Sequence, residues 1–285
     1  MKFYHLLAMV PAAFVILSSC STTTKITSQF NDSETSPSHS GNLTERLVQS
    51  ERHTLEGLAY YVTHDDTHLF IMVDFISARY YRLAREFGFT LYIDGKDDFN
   101  RSFGITYPTG LFYELGDYPG ARKGFLEEPN WENFPENAAA MESARNNMGE
   151  RALLIQRRSR RDDMRAAPVP VTQLHAQNLR LEMDTDEQRG RIAFAIPLEV
   201  RSISQFSPEI GLGEEIDVGF EIDPIRLFDM ESANAVPMTT SESASGRTRT
   251  GSGADEEQRE RMQLIQRRIG ERFSQWITVS LENPE

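Results

Sequence analysis

Leu58-Ala-Tyr-Tyr-Val-Thr-His-Asp-Asp-Thr-His-Leu-Phe-Ile-Met-Val-Asp-Phe75 is the stretch on which the fold turns. Leu58, Tyr60 and Val62 alternate with Ala59, Tyr61 and Thr63. After His64-Asp65-Asp66-Thr67, a second alternation sets Leu69, Ile71, Val73 and Phe75 against Phe70, Met72 and Asp74. Successive side chains of a strand point to opposite faces, so a period of two predicts a strand with one face toward a core. Two such strands joined by a short polar turn predict a hairpin.

The same pattern recurs outward from this hairpin. Phe89, Leu91 and Ile93 alternate with Thr90, Tyr92 and Asp94; Leu179, Leu181 and Met183 and then Ile192, Phe194 and Ile196 follow, with a hairpin turn between Asp184 and Gly190. Ile216, Val218, Phe220 and Ile222 alternate with Asp217, Gly219, Glu221 and Asp223, and Ile277, Val279 and Leu281 with Trp276, Thr278 and Ser280. Strands with one apolar and one polar face suit an antiparallel β-sandwich, in which each sheet keeps one wet side. The expected class is therefore mainly β, with a few added helices. Those are Tyr80 to Phe87, Ala138 to Met148, and Asp255 to Phe273, where Met262, Ile265, Ile269 and Phe273 fall at helical spacing. Thr239 to Gly253 is mostly Ser, Thr, Gly and Arg and has little to bury, so a disordered loop is expected near 235–254.

The chain carries a formal net charge of −13, which argues against nucleic acid as a partner. Its N-terminus has a positive start at Lys2, an apolar run from Phe3 to Leu17 and small residues before Cys20, the pattern of a secretory signal. That run is shorter than the ~20 residues that span a bilayer. Leu17-Ser18-Ser19-Cys20 resembles the lipobox of bacterial lipoproteins. The resemblance implies cleavage after residue 19, lipid on Cys20, and a protein of the cell envelope held to a membrane; Ser21 after the cysteine points to the outer membrane. Cys20 is the only cysteine, which removes disulfides, thiol catalysis and cysteine zinc sites. Ser21 to about Asn42 is rich in Ser and Thr, so residues 20–49 are expected to be a flexible tether and 50–285 the folded domain.

Phe89-Thr-Leu-Tyr-Ile-Asp94, a charged turn, and Phe103-Gly-Ile-Thr-Tyr-Pro108 together resemble the sandwich domains of family 9 carbohydrate-binding modules and the related DOMON domains. The resemblance covers about residues 50 to 110. It implies a sandwich that stacks sugar rings on aromatic side chains, and it raises the expectation of a structural calcium.

Trp131 and Trp276 are the only tryptophans and the candidate ligand-binding rings. Trp276 belongs to the polar face of its strand, whereas Trp131 sits in the loop-like Glu128-Pro-Asn-Trp-Glu-Asn-Phe-Pro135. Asp94, Asp97, Asp98 and Asn100 bring four oxygen-bearing side chains into seven residues, the candidate calcium site. His64 and His68 flank a turn expected to face solvent and offer a weaker metal pair. Arg157, Arg158, Arg160, Arg161 and Arg165 form a basic knot suited to phosphate or an acidic glycan. Signatures of metalloproteases, serine hydrolases, phosphate loops and dinucleotide folds are absent from the sequence, so no enzyme is expected. Two functions compete: a lipid-anchored module binding a glycan or other small ligand, and a structural or interaction subunit of an envelope assembly with no small ligand.

Overall fold

The computed structural model describes residues 24–31, 42–96, 101–157, 164–185, 189–198, 208, 210–224, 259–260, 263–265, 267 and 270–282. Among the described residues, twelve strands form one sheet that folds back over a shared core. In chain order they are β1 (Thr24–Phe30), β2 (Arg52–Leu55), β3 (Leu58–His64), β4 (His68–Phe75), β5 (Thr90–Gly95), β6 (Phe103–Thr106), β7 (Arg151–Arg157), β8 (Met164–Pro170), β9 (Arg180–Thr185), β10 (Gly190–Pro197), β11 (Glu215–Ile222) and β12 (Phe273–Leu281). The order across the sheet is β8-β7-β6-β5-β11-β12-β1-β3-β4-β10-β9, with β2 paired to β3.

Strand β1 converts two leaves into one sheet. Thr24 to Ser28 pair in parallel with Ile277 to Leu281 of β12, and Gln29 and Phe30 then pair in parallel with Thr63 and His64 of β3. Every other pairing among the described residues is antiparallel. The sheet is thus mixed, which corrects the purely antiparallel sandwich expected from alternation. Within residues 20–49, expected as a tether, Thr24–Phe30 form a strand and Leu43–Leu47 a helix. Ile26 and Ser28 are buried, and helix α1 (Leu43–Leu47) packs Leu43 and Leu47 on Tyr61, Phe70, Met72 and Ala193 on the outer side of one leaf. Asn42 caps that helix by accepting from the Thr44 N–H at 3.0 Å, and the Leu43 N–H reaches Glu182 Oε2 at 2.6 Å. A segment poor in apolar residues orders here because two strands and a leaf supply its partners.

Between the leaves, Phe89 meets Phe75 at 5.6 Å, and Phe194 and Phe220 at 6.3 Å each. Tyr60 meets Phe220 at 5.5 Å, and burial pushes its phenol up to about 12. Each fully buried ring of this kind contributes roughly 1.5–3 kcal/mol, and each ring pair about 0.5–1.5 kcal/mol more.

Helix α2 (Ala78–Phe87) joins β4 to β5, burying Tyr81, Leu83, Ala84 and Phe87. The segment between β6 and β7 holds helices α3 (Leu111–Glu114), α4 (Ala121–Glu127) and α5 (Ala138–Asn147), and α6 (Val171–His175) follows β8. Buried Glu114 anchors the segment through Thr109 and Arg151, whose guanidinium also reaches Asp117 at 2.9 Å. Phe273, expected to end a helix, opens β12 instead and packs against Tyr80 with ring centroids 4.8 Å apart and planes tilted by 56°. Residues 259–260, 263–265 and 267 are helical; the expected loop near 235–254 and the remaining residues from 255 to 269 lie outside the described residues.

Candidate functional site

Pairing register fixes which side chains share the outer face of the β5–β11–β12 leaf. Tyr92 lies opposite Gly219, and Gly219 opposite Trp276; on the other flank Tyr92 lies opposite Gly104, and Gly104 opposite Ile155. The row Ile155–Gly104–Tyr92–Gly219–Trp276 therefore alternates large rings or aliphatics with glycines. The glycines are required by the rings. A Cβ on Gly219 would stand 2.7 Å from the Trp276 ring, and one on Gly104 would stand 2.7 Å from Tyr92. Trp276 lies nearly parallel to Tyr92, with ring centroids 6.2 Å apart and planes at 17°.

Polar rungs border this row on both sides. Asp94, Asp217, Thr278 and Lys25 form one, with the Thr278 hydroxyl donating to Asp217 at 2.7 Å. Thr90, Glu221 and Ser274 form the other. Arg101 crosses the aromatic row. Its guanidinium carbon is 5.7 Å from the Tyr92 ring centroid and 5.5 Å from that of Trp276, and its Nε donates to Glu221 Oε2 at 3.0 Å. Tyr92 and Glu221 are buried under this arm, whereas Trp276 and Arg101 stay partly open to solvent. A partly exposed indole with a guanidinium over it and a carboxylate paired to that guanidinium can pack against an apolar ring and exchange hydrogen bonds with its hydroxyls.

Trp276 is thus placed as its strand parity implied, beside a second aromatic ring. Trp131 is not. It is 7% exposed, its ring lies against Gly124, and its carbonyl accepts from Asn137 Nδ2 at 2.8 Å. Trp131, expected as a ligand-binding ring, thus packs the segment between α4 and α5 against the body.

Asp94 ties the end of β5 to the chain at residues 101 and 102: its Oδ2 accepts from the Arg101 N–H at 2.6 Å and its Oδ1 from the Ser102 N–H at 2.7 Å. Asp97, Asp98 and Asn100 lie outside the described residues. Among the described residues no group of three His, Cys, Asp or Glu side chains is placed to hold a metal ion.

His64 and His68 turn their ring nitrogens to other partners; in the turn between them Asp66 and Thr67 face solvent, as expected, whereas Asp65 does not. Asp65 is buried and accepts from the N–H groups of Thr67 and His68, both at 2.7 Å. His68 Nε2 is 3.0 Å from the Asn178 carbonyl, and His64 is fully buried between Ser28 and the Glu282 carbonyl. Ser28 and His64 look like two parts of a hydrolytic triad, but neither is exposed and the third partner is a backbone carbonyl. Arg157 and Arg165 lie on the paired strands β7 and β8; Arg158, Arg160 and Arg161 lie outside the described residues.

Sequence reasoning missed Tyr92, Arg101, Glu221 and the two glycines. The available signal was a large aromatic and a glycine on the polar parity of β5 and β11, where solvated strands carry neither by preference.

No family model matches the sequence, and no curated protein matches it. Among solved structures, the fold is similar to a carbohydrate-binding module of family 9 from Caldicellulosiruptor kristjanssonii, in complex with glucose. Identity is 9%, the TM-score is 0.32, and the match covers 70% of this chain and 78% of that chain. So weak a likeness places no site residue.

Proposed function

We propose that this protein is a lipid-anchored envelope protein whose folded domain binds carbohydrate on the outer face of the β5–β11–β12 leaf. The observation that carries the reading is the partly exposed Trp276 ring, nearly parallel to Tyr92, with the Arg101 guanidinium over both rings and paired to Glu221. An indole offers a flat, weakly hydrated surface to the C–H face of a pyranose, and covering both removes apolar surface from water. Arg101 and Glu221 supply donors and an acceptor at the rim, where hydroxyls of a stacked sugar point. The anchor in this reading is lipid on Cys20, supported by the lipobox pattern of Leu17 to Cys20.

The test is a glycan array probed with the mature chain purified from membranes in detergent, with and without Ca²⁺. The expected result is selective binding that Trp276→Ala abolishes and Trp276→Phe partly restores. An array with no selective signal from a chain shown to be folded overturns the carbohydrate reading. A signal that needs Ca²⁺ assigns the Asp94, Asp97, Asp98 and Asn100 turn to the site.

A further inference from the structure

A second surface has a chemistry that the aromatic face does not use. A groove of about 560 Å³ lies along α2, lined by Ile76, Tyr81, Arg82, Arg85, Leu111 and Arg189 together with Ala78 and Glu86. Ile76 is 56% exposed, the most exposed large hydrophobic side chain among the described residues. Among the described lining residues three are arginines and one, Glu86, is a carboxylate, in a chain whose net charge is −13. Arg82 is 65% exposed and holds Glu86 only at 3.9 Å, and the Arg85 guanidinium lies 5.7 Å from the Tyr81 ring centroid.

The topology places this groove at one end of the molecule. Ile76 follows β4, α2 leads back into β5, and Arg189 precedes β10; these strand ends lie together, because Leu58 pairs with Phe75 and Asp74 with Arg191. Strand β1 runs parallel to β3 and β12, so its first residue points toward the same end. Four Cα steps separate Cys20 from Thr24, a reach of at most ~14 Å. A lipid on Cys20 therefore holds this end near the bilayer, with no long tether between.

We infer that the Ile76–Arg82–Arg85–Arg189 groove docks on the anionic phosphate headgroups of the membrane to which the chain is anchored. The inference rests on the lipid-anchor reading. Ile76 enters the headgroup layer, and the guanidiniums pair with phosphate oxygens, for which their planar donor array is suited. The domain then stands in one orientation rather than swinging on its anchor, and the aromatic face on the leaf above is presented sideways to the envelope space.

The experiment uses the full lipidated chain carrying Ile76→Cys, labelled with an environment-sensitive fluorophore; Cys20 is the only other cysteine and is blocked by lipid. The protein is reconstituted into vesicles of phosphatidylcholine alone and into vesicles in which a third of the lipid is phosphatidylglycerol. The expected result is a blue shift in the anionic vesicles only. It is weakened by high salt and lost in Arg82→Glu and in Arg82→Glu/Arg85→Glu. Arg82→Glu alone guards against loss of fold, since that side chain projects into solvent. Equal emission in the two vesicle types, from protein that carries metabolic lipid label, overturns the docking. The same shift with inorganic phosphate and no vesicles reassigns the groove to a free anion and also overturns it. Absence of lipid label overturns the anchor reading itself, and the docking with it, by a readout separate from emission.

Discussion

Ser28 Oγ lies 2.8 Å from Nδ1 of His64, and this contact joins the first strand to the hairpin that follows it. The other ring nitrogen, Nε2, is 2.9 Å from the Glu282 carbonyl oxygen, which only accepts. Nε2 therefore carries the proton, and in the neutral ring Nδ1 accepts from the Ser28 hydroxyl. One buried imidazole ties together β1, the end of β3 and the chain just beyond β12. Burial is the main cause that holds the His64 pKa below its ordinary 6.5, against the raising effect of the Glu282 carbonyl and of Asp65.

That depression fixes the direction of a pH dependence. The folded state binds this proton less readily than the unfolded chain does, so His64 leaves stability intact above about pH 6.5 and reduces it as pH falls below that value. The expected outcome is a urea midpoint that is level from about pH 8 to 7 and declines toward pH 5.5, with a smaller decline in His64→Gln. Equal declines in the two proteins would assign the acid sensitivity to carboxylates instead.

Gly219 and Trp276 make a sharper probe of the aromatic face than deletion of the ring. A methyl group on Gly219 would lie 2.7 Å from the indole, inside contact distance, so Gly219→Ala must tilt Trp276 off the sheet. The strand itself tolerates alanine, because Gly219 sits inside a regular antiparallel ladder. The expected result is a shift in tryptophan emission and at least a tenfold loss of glycan affinity, the equivalent of about 1.4 kcal/mol. The urea midpoint should change little. Unchanged affinity would show that ligand does not use the indole in its present orientation.

The two tryptophans separate binding from stability. Trp131 is buried against Gly124 and Asn137, so Trp131→Ala leaves a cavity and is expected to cost about 3–5 kcal/mol in urea unfolding. Trp276 is partly exposed, and Trp276→Ala is expected to cost less than half of that while removing binding. The reverse order of stabilities would mean that the outer face is a structural seam.

How far these features could be read in advance depended on what generates each signal. Leu69, Ile71 and Val73 face the core while Asp74 does not, so the β4 alternation was written in the residues themselves. Strand β7 was not legible, because Ala152 and Leu154 face the core and Leu153 and Ile155 the outer cluster, which gives an unbroken apolar run. Phe273, Ile277 and Leu281 are spaced by four, a step that suits a helix as well as a strand, and pairing with β11 decided for the strand. The aromatic face was half legible. Parity put Trp276 on the wet side, but Tyr92 lies two strands away, and its nearness comes from register across Gly219, which no single strand encodes.

Strand β1 shows the same limit and yields the boundary of the folded unit. Thr24 to Phe30 contains one aliphatic residue, Ile26, and is held by backbone pairing on both sides to β12 and β3. Removing it leaves two unpaired edges and exposes Ile277, Val279 and Leu281 at the seam of the leaves. Removing α1 as well uncovers Tyr61, Phe70 and Met72. A chain beginning at residue 24 is therefore expected to unfold cooperatively, and one beginning at residue 50 to aggregate or unfold at a much lower urea midpoint. Leu47→Ala isolates the helix: burial of Leu47 against Phe70 and Met72 predicts a loss of roughly 2–4 kcal/mol with β1 intact. Equal midpoints for chains beginning at 24 and at 50 would show that the leaves hold together without β1, and that the seam lies in the aromatic packing of Phe89 with Phe75, Phe194 and Phe220.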